Sequence, residues 1–108
     1  RKRMQEASQR RMMQDVPKAD VVITNPTHFA VAVKYDAQKN EAPVVVAMGQ
    51  DYVAQKIKEI ARDNNIRIVE NKPLARMLFH NVDLGAEIPP ELYQSVAEIL
   101  AMIYRENN

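Results

Sequence analysis

Residues 21–35 read VVITNPTHFAVAVKY, and this stretch decides the fold of the chain. Its first four residues, Val21 to Thr24, are mostly β-branched and predict a short strand. Asn25-Pro26-Thr27-His28 is a typical turn sequence. Phe29 to Tyr35 predicts a second strand, which is apolar on both faces until Lys34 and is therefore expected near the middle of a sheet. Because the turn is tight, the two strands are expected to be antiparallel.

Two further strands and three further helices are predicted downstream. Pro43 comes just before a third strand, Val44 to Met48, which Gly49 is expected to end. A fourth strand is predicted over Ile66 to Val69. Helices are predicted over residues 51–64, 74–80 and 91–105, where apolar residues recur at helical spacing. The apolar stripe of the last helix consists of Leu92, Val96, Ile99, Leu100 and Ile103.

The order of these elements predicts the class of fold. A weakly amphipathic helix over residues 1–14 precedes the two strands, and the strand–helix–strand unit over residues 43–69 is expected to be a right-handed parallel crossover. At 108 residues the chain is long enough for one domain and too short for two. We therefore predict an α/β fold, in which a small mixed four-stranded sheet is flanked by helices and preceded by an N-terminal linker helix.

Positive charge is concentrated at the start of the chain. Residues 1–14 hold five basic residues and one acidic residue, whereas the rest of the chain holds ten basic and thirteen acidic residues. The simplest interpretation of this arm is a solvated helix. Nucleic-acid binding is disfavoured, because the arm has no aromatic residue to stack on bases and the remainder is slightly acidic. Attraction to an anionic membrane surface is compatible with the arm.

The composition excludes several kinds of catalytic and metal site. The chain has no cysteine, which removes disulfides, thiolate catalysis and cysteine zinc sites. Its only histidines are His28 and His80, and its only glycines are Gly49 and Gly85. Neither a histidine-rich metal site nor a glycine-rich phosphate loop is therefore available. We expect no cofactor and no metal, and a conventional turnover enzyme is disfavoured.

The dipeptide Asn25-Pro26 has a chemistry of its own. An asparagine side chain is usually attacked by the backbone nitrogen of the next residue, but proline has no N–H and cannot make that attack. The route that remains within the chain is attack by the Asn25 side-chain nitrogen on its own main-chain carbonyl. This attack would close a succinimide ring, expel the Pro26 nitrogen and cut the backbone.

Three features are expected to accelerate such a cut. The turn can hold the side-chain amide near the carbonyl, and such positioning contributes ~7–11 kcal/mol at the extreme. Strain in a sharp turn would be released by the cut. His28 is the candidate for proton transfer, and Thr27 for a hydrogen bond to the turn or the oxyanion. On the dipeptide alone, however, an inert turn flanked by His28 is the more common interpretation.

The chain resembles the FlhB/YscU family, the switch proteins of flagellar and virulence type III secretion. Asn25-Pro26-Thr27-His28 is similar to the NPTH signature of that family. The likeness extends to residues 12–20, to Ala42-Pro43, to Pro73-Leu74-Ala75-Arg76, and to Ile88-Pro89 with the helix that follows. It is closer to the flagellar branch than to the virulence branch.

The resemblance implies a function that the residues alone do not show. Transmembrane helices would lie upstream, residues 1–17 would be the linker from them, and residues 18–108 would form the export-switch domain at the cytoplasmic face of the bacterial inner membrane. Self-cleavage at Asn25-Pro26, with Thr27 and His28 as further catalytic residues, would let the export apparatus change from rod and hook components to filament components. The implied partners are other export-gate proteins, export substrates and a ruler protein, without nucleic acid.

The two fragments are expected to stay together after the cut. The cut lies in a turn, so the strand at residues 21–24 keeps its ladder hydrogen bonds and its buried side chains. We therefore predict a nicked but folded complex.

A docking surface is the second site that the sequence suggests. Ala97, Leu100 and Ala101 form a second apolar row on the last helix. This row either widens the buried face under a small sheet or forms a partly exposed groove with Ala42 and Pro43. In the second case, Ala42, Pro43, Ala97 and Leu100 would contact a segment of an export substrate. An alternative function is a docking domain of the export gate that has the same fold and does not cut itself.

Overall fold

The computed structural model describes the backbone of residues 2–107 and the side chains of residues 9–106. Helix α1 and a short 3₁₀ turn precede the sheet, and a second 3₁₀ turn leads into the last helix. In chain order the elements are α1 (Lys2–Asp15), the first 3₁₀ turn (Val16–Lys18), β1 (Val21–Asn25), β2 (Phe29–Lys34), β3 (Val44–Gln50), α2 (Asp51–Asp63), β4 (Arg67–Glu70), α3 (Lys72–Asn81), the second 3₁₀ turn (Pro90–Leu92) and α4 (Tyr93–Asn107).

The sheet has four strands in the order β3-β2-β1-β4, and the predicted mixed α/β fold is confirmed. Strands β1 and β2 are antiparallel, with Ile23 opposite Val31. Strand β4 runs parallel to β1, and β3 runs antiparallel to β2. It follows that β3 and β4 point the same way but are separated by two strands. The crossover between them is therefore parallel, as predicted, and its right-handedness stays a prediction.

Helices cover both faces of the sheet because the two central strands are apolar on both faces. On one face, Val21, Ile23 and the valines of β2 pack against α3 and α4. On the other face, Val22 and the alanines of β2 pack against α1, α2 and the first 3₁₀ turn. Alternating side chains of one strand point to opposite faces, so β1 contributes to both cores.

The last turn of α1 packs on the sheet. Met12 is buried in the same cluster as Val16, and the Met12 sulfur accepts a hydrogen bond from the Met48 N–H at 3.4 Å. Burial of an apolar side chain stabilises the fold by about 1.5–3 kcal/mol. A division of the chain at residue 17 stays a prediction. Among residues 2–107, no helix is both long enough and apolar enough to cross a bilayer.

Strand β3 does not end at Gly49, as the sequence predicted, but continues through Gln50. The glycine is needed for a close approach rather than for a strand end. A Cβ atom at Gly49 would lie 2.1 Å from Cγ1 of Val53, in the first turn of α2. The missing side chain therefore lets α2 fold back directly from the end of β3.

Gly49→Ala is expected to destabilise the domain by about 1–3 kcal/mol, because the added methyl group overlaps Val53. The measurement is the midpoint of urea unfolding. Gln50→Ala, a substitution at the exposed neighbouring position, is the matched control and should leave the midpoint nearly unchanged. Equal midpoints for Gly49→Ala and the original chain would show that Val53 moves aside at little cost.

Candidate functional site

The Asn25-Pro26 bond lies at the carboxyl end of a central strand. Asn25 is the last residue of β1, pairs with Phe29 across the turn, and is 8% exposed. Pro26 is half-buried, whereas Thr27 and His28 are exposed. The predicted turn is therefore confirmed, and it brings a buried asparagine next to two solvent-facing side chains.

The carbonyl that cyclisation would attack is already hydrogen-bonded. The Asn25 carbonyl oxygen accepts the backbone N–H of His28 at 2.9 Å. Pro26 and Thr27, which lie between Asn25 and His28, both have negative φ angles, as in a type I turn. A backbone donor on a carbonyl oxygen draws electron density from the carbon and stabilises the negative charge that develops on the oxygen during attack.

The main chain is held on both sides of this carbonyl. Just before it, the Thr24 carbonyl oxygen accepts the Asn71 N–H at 2.9 Å, and Asn71 also caps α3 through its side chain. Just after the turn, the His28 carbonyl oxygen accepts the Asp51 N–H at 2.9 Å. These donors come from the starts of α3 and α2, so two helices fix the ends of the turn.

A lysine that the sequence analysis did not single out holds the middle of the turn. Lys58 of α2 is 8% exposed, and its Nζ donates to the Pro26 carbonyl oxygen at 2.9 Å. The pattern that points to it is its position in the buried stripe of α2 with Ala54, Ile57 and Ala61. A lysine at helical spacing within an apolar stripe is unusual, because buried lysines are rare unless they have a partner.

Aromatic packing supports the far side of the turn. The ring of Phe29 stacks on Phe79 of α3 with centroids 4.5 Å apart. His80 meets the same ring edge-on at 5.3 Å. The first residue of β2 is thereby attached to α3, opposite the lysine contact from α2.

The contact on the Asn25 carbonyl comes from the His28 main chain. The His28 imidazole and the Thr27 hydroxyl, for which catalytic roles are expected, belong to exposed side chains, and those roles stay predictions. The expected strain in the turn is not seen as an unusual φ angle. Within residues 2–107, the non-glycine residues with positive φ are Asp51, at 52°, and Asn65, at 58°.

The predicted docking groove needs a correction. Ala42 and Leu100 are 1% and 4% exposed and belong to the core beneath α3 and α4. The wide buried face is therefore the correct interpretation of Leu100, because α4 packs on the valine face of the sheet. Ala97 is exposed and Pro43 is half-buried, and a docking role for these two residues stays a prediction.

A separate depression of about 620 Å³ opens at the other end of β1. It is lined by Asp20, Arg62 and Tyr104, among others. Partial burial raises the pKa of the Tyr104 hydroxyl, with smaller contributions from the charges of Asp20 and Tyr35. Strand β1 separates this depression from the turn, so none of these groups can take part in chemistry at Asn25.

Comparison with known proteins agrees with the fold. The model of the FlhB HrpN YscU SpaS family matches residues 1–103. The flagellar biosynthetic protein FlhB of Bacillus subtilis is 50% identical over 105 residues, which is 97% of this chain and 29% of that protein. FlhB of Helicobacter pylori is 55% identical over 93 residues, or 86% of this chain and 26% of that protein. The chain thus spans less than a third of the length of these relatives.

Two solved structures have the same architecture. The cytoplasmic domain of FlhB from Shewanella putrefaciens matches with a TM-score of 0.86 and 51% identity, over 89% of this chain and 74% of that one. A variant of the EscU C-terminal domain matches with a TM-score of 0.81 and 28% identity, over 85% of this chain and 98% of that one. Identity is therefore higher to the flagellar proteins than to EscU. The chain belongs to the FlhB HrpN YscU SpaS family, on its flagellar side.

Proposed function

We propose that this chain is the cytoplasmic domain of a flagellar protein-export component that cuts its own backbone between Asn25 and Pro26 and thereby controls which class of substrate is exported. One observation carries the proposal. The Asn25 carbonyl oxygen accepts a hydrogen bond from the His28 N–H, within a turn that contacts from α2 and α3 hold in place. Such preorganisation favours a reaction at this one peptide bond. The relatives of this chain are named as flagellar biosynthetic proteins, and this supports the role in export.

The reaction needs only atoms of the chain and a transferred proton. The Asn25 Nδ2 forms a bond to the Asn25 carbonyl carbon, and the negative charge that develops on the carbonyl oxygen meets the His28 N–H. The bond from that carbon to the Pro26 nitrogen then breaks, and a proton passes from Nδ2 to the departing nitrogen. The products are a C-terminal succinimide at Asn25, which water later opens, and a secondary amine at Pro26.

The wider role of the domain is part of the same proposal. The full-length protein would be anchored in the bacterial inner membrane with this domain on its cytoplasmic face. Its partners would be other export-gate proteins, export substrates and a ruler protein. Replacing Asn25 with alanine in the full-length protein tests this role, since secreted proteins would then remain of the rod and hook class. Normal filament export by the uncut variant would show that the change of substrate class does not require cleavage.

His28→Ala is expected to slow the cut by ~10²–10⁴-fold if the imidazole transfers the proton. This substitution keeps the backbone N–H that contacts the Asn25 carbonyl, so it reports on the side chain alone. The measurement is the rate at which newly made chain converts to fragments, followed by intact mass. Tyr93→Ala, which removes an exposed ring at the start of α4, is the control and should cut at the original rate. An unchanged rate for His28→Ala would exclude proton transfer by the imidazole.

A further inference from the structure

We propose that Lys58 is a positioning residue for the cut: its buried ammonium group clamps the Pro26 carbonyl and so keeps the turn in the arrangement in which the Asn25 carbonyl can be attacked. The inference rests on the proposed function but concerns a residue of α2, 32 positions along the chain from Pro26.

The first observation is the isolation of this charge. Lys58 is 8% exposed, and within the described side chains no carboxylate lies within 4 Å of its ammonium. Its described hydrogen bond is the 2.9 Å contact with the Pro26 carbonyl oxygen. Burying an ammonium group costs free energy unless it is well partnered. The Pro26 carbonyl oxygen is thus the acceptor that partners the buried ammonium group of Lys58.

The second observation is where that carbonyl lies relative to the reaction. Pro26 supplies both the nitrogen that departs and the carbonyl that Lys58 holds. A hydrogen bond from a charged donor is roughly twice as strong as one between neutral groups. Fixing Pro26 also fixes the short path to His28, whose N–H lies on the Asn25 oxygen. Misplacing reacting groups by about 1 Å can slow a reaction ~10²-fold.

Lys58 is not a catalytic residue in this proposal, because its described contact is with the Pro26 carbonyl oxygen and not with a reacting atom. A purely structural role is the competing explanation, in which the lysine only anchors α2. The two roles differ in one measurable respect. Lys58→Met removes the buried charge together with its desolvation cost, and it leaves without this donor only a neutral carbonyl on the half-buried Pro26. Stability should therefore survive a substitution that slows the cut.

The test compares Lys58→Met with Lys56→Met, which alters an exposed lysine on the same helix. Each chain is made by cell-free translation, and conversion to the two fragments is followed by intact mass. We expect Lys58→Met to cut ~10–10²-fold more slowly, Lys58→Arg to recover part of the rate, and Lys56→Met to match the original chain. Unfolding midpoints confirm that each variant folds, and Lys58→Gln replaces Lys58→Met if that variant does not.

A second readout does not depend on cleavage. In chains that also carry Asn25→Ala, the hydrogen-exchange rate of the His28 amide reports whether the turn stays closed. We expect Lys58→Met to raise this rate at least about tenfold over Lys56→Met, because the charge-assisted bond to the turn is lost. Unchanged exchange, or cutting of Lys58→Met at the original rate, would overturn the proposal. If the original chain is never cut, the proposed function fails, while this exchange rate still decides whether Lys58 holds the turn.

Discussion

Asn25→Ala is expected to leave the chain whole, whereas the original chain separates under denaturing conditions into residues 1–25 and 26–108. Alanine has no side-chain nitrogen, so the bond to Pro26 becomes as inert as any other peptide bond. The positional advantage that is lost can amount to ~7–11 kcal/mol at the extreme, which turns an observable cut into one that is never seen. Intact mass spectrometry of the denatured chains measures the result directly, because the uncut chain has a mass of 12.4 kDa.

Two further variants make this experiment specific. Asn25→Asp keeps the shape of the side chain but replaces the attacking nitrogen with oxygen, and it should also remain whole at neutral pH. Asn40→Ala removes an asparagine from the loop between β2 and β3 and should be cut like the original chain. An original chain that stays whole after purification would favour the non-cleaving docking domain. A cut Asn25→Ala chain would point to a contaminating protease.

Once cut, the domain is expected to remain a stable complex of two fragments, and Ile23→Ala to weaken that complex by about 2–5 kcal/mol. All five residues of β1 are buried, and the strand is hydrogen-bonded to β2 on one side and to β4 on the other. The cut lies beyond its last residue, so none of these pairings is lost. Ile23 is fully buried in the centre of this strand, and its truncation leaves a cavity.

Native mass spectrometry and urea titration of the cut complex give the measurement. Tyr52→Ala is the matched control, since it removes a large side chain that is 68% exposed and should change stability by less than about 0.5 kcal/mol. Fragments that separate in native buffer would show that β1 is not retained by the sheet. Equal stability of Ile23→Ala and Tyr52→Ala would show that packing at Ile23 does not hold the fragments together.

The sequence predicted those features that depend on neighbours along the chain. The β-branched run before Asn25 and the apolar run after His28 predicted two strands, the second of them near the middle of a sheet, because strand formation follows from local side-chain pattern. The helix predicted over residues 51–64 is observed over Asp51–Asp63, and Asn65, just beyond it, adopts a positive φ of 58°. The cyclisation proposed for Asn25-Pro26 likewise depends on neighbours along the chain, since a missing N–H and an adjacent amide are properties of two consecutive residues.

Burial on α4 and the length of β3 were less predictable. An apolar row such as Ala97 and Leu100 has the same spacing whether it faces the core or solvent, and only packing on the valine face of the sheet buries Leu100. A strand end is predicted at Gly49 because glycine is rare within strands. In the structure glycine is needed there because Val53, in the first turn of α2, lies too close for a Cβ atom.

The sequence by itself determined that this chain has an asparagine followed by proline in a turn between two strands, and that no thiolate or glycine-rich phosphate loop accompanies it. Only the tertiary structure decided what surrounds that turn. Asp51, Lys58 and Asn71 lie 23 to 47 positions along the chain from the carbonyls to which they donate, which are within or beside the Asn25–His28 turn. Their approach follows from the strand order, because helices α2 and α3 both begin at the edge of the sheet where β1 ends. Contacts across such separations are set by packing of whole elements, which local sequence patterns do not encode.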